Sequence, residues 1–326
     1  MVTYIGTRFL RMVSVILAVS VFTFFLINLL PGSPINTILG AAAGNAAARA
    51  QVTAQLGLNH PIYVRYFIWL GHALQGNLGR SYVSQTSVAG TIFEHLPLTL
   101  ELMVLAEIIS LVVAIPLGIA SGMRPDSWFD KIVGGVSIGL LALPAFVLGP
   151  LLIFVLAVKT NIFPPSGETT WFTIGSGYSP AIIATPQSLV MPALTLAAGQ
   201  LAVFSRVLRG DLVSTLKSEF ILMARSKGFS RWYILFRHAL RPSSISLVSL
   251  VGLSIGGLIA GALVVENIFA LPGMGTLIVN SILKRDYLMV QGIALLISAG
   301  FVFVNFVTDA VYALLDPRIR RARLIG

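Results

Sequence analysis

The segment ARSKGFSRWYILFRHAL, residues 224–240, is a basic stretch within an otherwise apolar chain. It carries four Lys or Arg residues, and Arg241 follows it directly. Of the 326 residues, 56% are hydrophobic and only 10% are charged. Soluble domains carry about 25% charged residues, so this chain has too little polar surface to stay in water. The composition predicts an all-α integral membrane protein in which this segment is a loop between helices.

Several apolar runs on either side of the segment exceed the roughly 18 residues that indicate a membrane span. We predict six spans, at about residues 12–30, 98–119, 132–158, 189–207, 245–265 and 290–315. A secretory signal is the alternative for the first run, but the apolar core of a signal is only about 7–15 residues long. Pro144 and Pro150 predict kinks in the third span, because each leaves a backbone carbonyl without its helical donor.

The spans divide the chain into four predicted parts. Residues 1–32 are an N-terminal transmembrane helix, 33–97 an extracytoplasmic segment, 98–315 a core of five spans that includes the loop 217–241, and 316–326 a basic tail. The extracytoplasmic segment contains turn-forming Gly, Asn and Pro. It is expected to fold, because aromatic residues such as Tyr66 and Trp69 give it apolar groups to bury. Residues 161–186 are predicted to be a polar loop.

The distribution of basic residues predicts which side of the membrane each loop faces. Cytoplasmic loops are enriched in Lys and Arg. Here 16 of the 22 basic residues fall on the side of the two termini and the basic loop, and 6 fall on the other side. Both termini and residues 217–241 are therefore predicted to be cytoplasmic. The same placement explains the net charge of +10 without a nucleic acid partner.

A topology signal needs only charge, but this loop also has the pattern of two short helices. Residues 219–227 contain no helix breaker, Gly228 can end that helix in the left-handed conformation, and Ser230 can cap a second helix. The second helix is predicted to have an apolar face of Trp232, Leu235, Phe236, Ala239 and Leu240, opposite Arg231, Ile234, Arg237, His238 and Arg241. Rigid helices at the membrane surface suit docking on another protein, and a helix lying on the lipid is the alternative.

The chain resembles the first of the two permease subunits of dipeptide, oligopeptide and nickel-type ATP-binding-cassette (ABC) importers. In these permeases a cytoplasmic loop with alanines and then a glycine docks in a cleft of the ATPase, and ARSKGFS followed by ILFRHALR matches that loop here. The other matching strings are LGLNHPIYVRYFIWL (56–70), GNLGRS (76–81), LPLTLEL (96–102), VVENIFALPGMG (264–275), RDYLMVQG (285–292) and NFVTDAVYALLDPRIR (305–320). Together they cover nearly the whole chain in order.

The resemblance implies a type I ABC importer permease fold in the cytoplasmic membrane of a prokaryote. It implies four kinds of partner: a homologous second permease, two ATP-binding subunits, an extracytoplasmic binding protein and a peptide substrate. Nickel or another small solute is the alternative substrate. ATP and Mg would be bound by the partner ATPase subunits, and this chain would hold no cofactor.

For ATPase docking, the resemblance implies Glu219, Met223, Ala224, Arg225, Lys227, Gly228 and Ser230. The general loop motif has Glu-Ala-Ala before the glycine, whereas Leu222, Met223 and Ala224 occupy those positions here. Leu222 and Met223 are therefore expected to make apolar contacts only.

The chain has no catalytic or metal-binding pattern of its own. It lacks GxxxxGK[ST], the loop that cradles phosphates, and its four histidines are scattered. We predict a transport subunit within an ATP-hydrolysing complex, with no catalytic residue and no metal ligand. Two alternatives come from other classes. A secondary transporter would need a self-contained substrate site, often with paired repeats, and a scaffold protein would not need this order of loop strings.

Four polar residues in or beside the spans are candidates for the substrate path or its gate. Glu107 lies near the middle of the second span, where a carboxylate costs roughly 2.5–3.5 kcal/mol and must face the bundle or water. It either lines the path or makes a hydrogen bond between helices. Glu266 follows the fifth span and is a candidate outer gate with the turn at 272–273. Asn305 and Asp309 share one face of the sixth span, where a structural contact is the alternative.

Overall fold

The computed structural model describes residues 2–29, 35, 39, 44–55, 59–81, 83–166, 169–172 and 181–315. The predicted basic tail, residues 316–326, lies outside these residues, as does the predicted boundary between residues 32 and 33. For helical residues 309–315 only the backbone is described.

Helices dominate the described residues, as the composition predicts. The first are α1 (Val2–Leu29), α2 (Ala46–Gln55), α3 (Ile62–Leu74), α4 (Val88–Met123), α5 (Trp128–Ala142) and α6 (Ala145–Leu152), which continues as π-helix over Ile153–Lys159. After two short strands come α7 (Pro186–Leu216), α8 (Glu219–Ser226), α9 (Arg231–Tyr233) with π-helix over Ile234–Ala239, α10 (Leu240–Ser243), α11 (Ile245–Ile268), α12 (Met274–Leu283) and α13 (Tyr287–Leu315).

The strands occupy the loop that was predicted to be irregular. β1 (Thr169–Phe172) pairs with β2 (Ala181–Ala184) in a two-stranded sheet. The sequence of β1 is TTWF and that of β2 is AIIA, and both contain the β-branched or aromatic residues that favour extended backbone. The described part of residues 161–186 therefore contains two strands, and the described residues otherwise form helices, turns and loops.

The described spans only partly match the six that were predicted. Within the described residues, four helices are long and apolar enough to cross a membrane: α4, α7, α11 and α13. A fifth candidate is the pair formed by α5 with α6 and its π-helical continuation, which is bent by 106°. In α1 the described apolar stretch, Leu10–Phe25, is shorter than 18 residues, so the count of six is not confirmed.

The bend in the third predicted span is a complete break, where only a kink was expected. Helix α5 ends at Ala142, and Pro144 is the N-cap of the next helix in an extended conformation, with φ of −63° and ψ of 150°. Proline has no amide hydrogen, and it disfavours helical backbone in the residue before it. Leu143 accordingly has ψ of 109°, which interrupts the helix at that point.

The chain forms two compact units. One comprises Met1–Thr99, Thr169–Ile183 and Pro272–Phe303, and the other comprises Leu100–Glu168, Ala184–Leu271 and Val304–Gly326. Each unit combines segments that are distant in sequence, whereas the predicted parts are continuous along the chain. Helices α4 and α13 contribute residues to both units.

In the first unit, aromatic side chains join α3 to α1. The Tyr66 ring packs edge-on against Phe24 with 5.4 Å between ring centroids, and its hydroxyl shares a 2.8 Å hydrogen bond with that of Ser20. Trp69 lies against the same Phe24 ring. A second cluster contains Val88, Ile92, Met274, Met289 and Ile293. The segment before α4 thus folds against helices, as its aromatic residues predicted.

In the second unit, α7 is the central helix and packs against both α5 and α11. It also lies close to α4, whose Gly118 and Gly122 are four residues apart and so share one face. A Cβ atom at Gly118 would lie 3.1 Å from the Cβ atom of Leu208, and one at Gly122 would lie 2.9 Å from Leu212 Cδ2. Small residues at this spacing let spanning helices approach closely.

Candidate functional site

The basic loop begins where α7 ends. Helix α8 starts at Glu219 and ends at Ser226, with Lys227 as its C-cap. Gly228 follows with φ of +78°, and its amide donates to the carbonyl of Arg225 at 2.9 Å. Glycine alone adopts this left-handed conformation without strain from a Cβ atom. The predicted end of the first loop helix at Gly228 is confirmed.

The second loop helix starts as predicted but continues differently. The Ser230 hydroxyl accepts a hydrogen bond from the amide of Tyr233 at 3.3 Å, which caps the helix. The chain then turns as π-helix over Ile234–Ala239. Because π-helical hydrogen bonds join residues i and i+5, the side chains lose the 3.6-residue phase of an α-helix. The predicted faces hold only in part: Leu235 and Ala239 are buried, but Trp232 and Phe236 are 63% and 61% exposed and Ile234 is buried.

A buried apolar cluster holds both loop helices against α7. Its members are Leu212, Ile221, Ala224, Ile234, Leu235 and Ala239. A hydrogen bond of 2.9 Å from the Ser243 hydroxyl to that of Thr215 also joins α10 to α7. The loop is therefore packed directly on the end of a spanning helix. A displacement of the loop would displace the end of that helix as well.

The outer side of the loop is unusually apolar for an exposed segment. We call the following exposed side chains the apolar loop surface: Phe220, Leu222, Met223, Phe229, Trp232, Tyr233 and Phe236. Phe229 and Tyr233 have ring centroids 4.9 Å apart, and Trp232 and Phe236 stack at 6.0 Å. Contiguous exposed apolar groups with a polar border mark interaction sites.

The predicted docking residues fall into two groups. Glu219, Met223, Arg225, Lys227, Gly228 and Ser230 are exposed, and Met223 is 61% exposed. Ala224 is only 6% exposed, because it belongs to the buried cluster beneath the loop. Its small side chain therefore sets how closely α8 packs on its own chain and is not offered to a partner.

Glu107 lies in a polar cluster that joins three spanning helices of the second unit. The hydroxyl of Ser254 on α11 donates to the Val251 carbonyl at 2.7 Å and also lies 3.3 and 3.4 Å from the two carboxylate oxygens of Glu107 on α4. Gln200 on α7 donates from Nε2 to the Ser254 carbonyl at 3.3 Å, and its Oε1 atom is buried without a hydrogen-bond partner among the described residues. Sequence reasoning missed Ser254 and Gln200, although polar residues within apolar runs were a usable signal.

The remaining path candidates lie at other places in the second unit. Glu266 is fully buried near the end of α11, and its carbonyl accepts from the Leu271 amide at 2.9 Å. Asn305 is half-buried on α13, and Asp309 is described only by its backbone position on the same helix. Within the described residues, no group of three or more His, Asp or Glu side chains lies close enough together to hold a metal ion.

An ion pair that the sequence did not predict lies near the basic loop. Arg209 on α7 donates from Nε and Nη2 to the two carboxylate oxygens of Asp130 on α5, at 2.5 and 2.6 Å. The Asp126 amide donates to the same carboxylate at 2.9 Å. Such bidentate pairs are strong and fix orientation. Arg209 is one of the 16 basic residues that the charge bias places on the side of the basic loop, and only the fold brings Asp130 to it.

Helices long enough to cross a membrane and a basic loop packed on one of them together define an integral membrane protein. Comparison with known families agrees: residues 114–321 match the family "Binding-protein-dependent transport system inner membrane component", and residues 1–103 match its N-terminal companion. The chain belongs to this family. It is the permease subunit of an ABC importer of the peptide and nickel type, an inner-membrane protein of several spans and not itself an enzyme.

Three relatives illustrate the range of the family. A glutathione transport system permease of Salmonella choleraesuis is 33% identical over 98% of this chain and 99% of its own length. A probable peptide ABC transporter permease of Sinorhizobium fredii is 32% identical over 97% and 99%. A nickel import system permease of Staphylococcus aureus is 33% identical over 96% and 90%.

Among solved structures, a crystal structure of an amino acid ABC transporter with histidines matches 70% of this chain and 94% of its own, with a TM-score of 0.50 and 13% identity. This likeness shows the fold alone. Importer permeases of the family work with a second permease, ATPase subunits and a binding protein.

Proposed function

We propose that this chain forms, with a homologous second permease, the pathway for peptide uptake, and that residues 217–241 couple this pathway to two ATPase subunits. The observation that carries the proposal is the packing of the loop. Its inner side is buried against α7, and its outer side presents the apolar loop surface. A docking element needs both properties, because it must bind a partner and move as one body with a spanning helix.

In this proposal the predicted docking residues have different roles. Glu219, Met223, Arg225, Lys227 and Ser230 are exposed and contact the ATPase, with Met223 and Leu222 supplying apolar contact. Ala224 and Gly228 position the two helices, Ala224 by its burial and Gly228 by its left-handed backbone. ATP and Mg bind to the ATPase subunits. ATP binding closes the ATPase pair, the docked loop moves with it, and the spans tilt to open the path outward; hydrolysis resets them.

For the path itself, we assign Glu107 as a lining residue and Glu266, Asn305 and Asp309 as further lining or gate residues. Glu107 is half-buried, and its carboxylate lies within hydrogen-bond distance of the Ser254 hydroxyl. The carboxylate is therefore positioned by a neighbour but still partly accessible. A carboxylate in a spanning segment suits the ammonium group of a peptide. Relatives named for glutathione and peptide transport support a peptide substrate, and the relative named for nickel import makes nickel the second candidate.

The test of coupling uses Gly228. A Cβ atom at this position would meet no atom within 4 Å, so a substitution acts through the backbone conformation alone. Valine is rarely found at positive φ, whereas asparagine tolerates it. We expect Gly228→Val to lose co-purification of the ATPase subunits and to lower peptide uptake at least about tenfold, which is the effect of roughly 1.4 kcal/mol. Gly228→Asn should keep both close to wild type.

Uptake is measured in vesicles supplied with the binding protein, peptide or nickel, and ATP. A Gly228→Val chain that retains its ATPase subunits and transports normally would show that the loop is not the coupling element. Transport without ATP would favour an ion-gradient-driven transporter instead.

A further inference from the structure

A groove of about 810 Å³ lies in the second unit beside the basic loop, next to α9. Three arginines line it: Arg124 after the end of α4, Arg225 on α8 and Arg231 on α9. The aromatic rings of Phe129, Phe229 and Trp232 also line it, and no carboxylate does. We call this feature the basic groove. Its size falls within the roughly 300–1,000 Å³ of small-molecule sites.

The arginines of the basic groove have few partners within the protein. Arg225 Nη2 lies 3.5 Å from the carbonyl of Leu216, which is a weak contact. Among the residues that the structure describes, the side chains of Arg124 and Arg231 have no hydrogen bond and no ion pair, in contrast to Arg209 with its bidentate carboxylate. The groove therefore concentrates positive charge that the chain itself does not neutralise, and guanidinium groups recognise phosphate bidentately.

The walls of the groove are the ends of spanning helices. Ala120 and Met123 belong to the last turn of α4, and Phe129 belongs to the first turn of α5. Leu216 is the last residue of α7. Met123 and Phe129 lie within four residues of the predicted span ends at about residues 119 and 132, so this part of the groove is expected near the boundary between hydrocarbon and water. Trp128, next to Phe129, is 74% exposed, and tryptophan is enriched at that boundary. Phosphate-binding cations and apolar walls thus meet near predicted span ends, as the phosphate and acyl chains of a phospholipid would require.

We propose that the basic groove binds the headgroup of an anionic phospholipid of the cytoplasmic leaflet. The phosphate contacts Arg124 and Arg231, and the upper part of the acyl chains lies against Phe129 and Met123. The proposal rests on the cytoplasmic orientation of the loop given above. An anionic headgroup suits the groove because three arginines line it and no carboxylate does. Phe229 and Trp232 belong both to the groove and to the apolar loop surface, so docking of an ATPase segment is the alternative that the test separates. Basic pockets between spanning helices on the cytoplasmic side bind lipid headgroups in this manner.

Such a lipid would join Arg124 on the spanning side to Arg231 on the loop side. It would neutralise two of the arginines that line the groove, and so hold α9 close to the end of α4. Lipid composition would thereby influence how firmly the loop is fixed.

The test measures lipid binding by the purified full-length chain in neutral detergent. Phosphatidylglycerol and phosphatidylcholine are titrated in separate arms, and inorganic phosphate forms a third arm. The groove variant is Arg124→Gln with Arg231→Gln. The matched control is Arg237→Gln with Arg241→Gln. These two arginines are also exposed, lie on the same loop as Arg231 and do not line the groove, and their substitution removes the same charge. Bound lipid is counted by native mass spectrometry, and stabilisation by the shift in unfolding temperature.

We expect phosphatidylglycerol to bind the wild type and the control equally well, and the groove variant at least about tenfold more weakly, with phosphatidylcholine weak throughout. Arg124→Lys with Arg231→Lys should recover part of the binding, which guards against a misfolded glutamine variant. Equal losses in the groove variant and the control would mean attraction to general charge and would overturn the proposal. Competition by millimolar inorganic phosphate would show a free-anion site and overturn it as well.

A groove variant that binds lipid normally but loses its ATPase subunits would make the groove a protein-docking site and would also contradict the proposal. The lipid measurement needs no ATPase, so its failure can be told apart from a failure of the coupling function.

Discussion

A single carboxylate, that of Glu107, shows how one residue constrains a membrane protein. It is half-buried on α4, and the Ser254 hydroxyl of α11 is its hydrogen-bond partner. A structural contact needs only an acceptor, which glutamine also supplies. A binding role for a peptide ammonium group needs the negative charge. The substitution Glu107→Gln can therefore distinguish a structural role from a role in binding the peptide ammonium group.

We predict that Glu107→Gln lowers uptake of a peptide with a free amino terminus about tenfold, since a charge-assisted hydrogen bond contributes roughly 1.5–3 kcal/mol. Uptake of the same peptide with an acetylated amino terminus should change by less than about twofold, because that peptide has no ammonium group for the carboxylate to bind. A twofold change corresponds to well under 1.4 kcal/mol. Co-purification with the ATPase subunits should stay normal. Ser254→Ala is the control for the hydrogen bond alone. If Glu107→Gln takes up each of the two peptides as well as the wild type does, Glu107 has only a structural role.

At the scale of elements, the approach of α4 to α7 depends on Gly118 and Gly122. A Cβ atom at Gly118 would already lie 3.0 Å from the Ser205 carbonyl oxygen. We predict that Gly118→Leu destabilises the chain by about 1–3 kcal/mol, the cost of overpacking, and lowers the unfolding temperature in detergent. Gly210→Leu on α7 is the matched control, because a Cβ atom there meets nothing within 4 Å. An unchanged unfolding temperature for Gly118→Leu would contradict the close approach.

At the scale of the whole molecule, the prediction concerns orientation. The chain contains no cysteine, so single cysteines can be introduced without a background of native thiols. The positive-inside bias places Gln75 outside and Arg237 in the cytoplasm. In intact cells, a membrane-impermeant maleimide should label Gln75→Cys but not Arg237→Cys, which should react only after permeabilisation. Both positions are exposed, so burial does not limit labelling. The reverse pattern would invert the topology and remove the loop from the ATPase side.

Local features of the loop were predictable from sequence, because neighbouring residues decide them. Gly228 ends α8 with positive φ, and Ser230 caps α9, as expected. The faces of the second loop helix were predictable only in part. The prediction assumed α-helical phase, whereas residues 234–239 form π-helix where the loop packs against α7. The same packing buries Ala224, which sequence alone would place on the docking side.

The sequence by itself determined the class of protein: apolar composition requires a membrane, the bias of basic residues predicts the orientation, and glycine, proline and serine mark the ends of helices. These are local or additive properties of the chain. Only the tertiary structure decided which distant polar groups meet, such as Arg209 with Asp130 and Glu107 with Ser254. It also decided that Arg124, Arg225 and Arg231 line one groove. The physical reason is that these contacts depend on how helices pack, and packing is set by the shapes of side chains far apart in sequence.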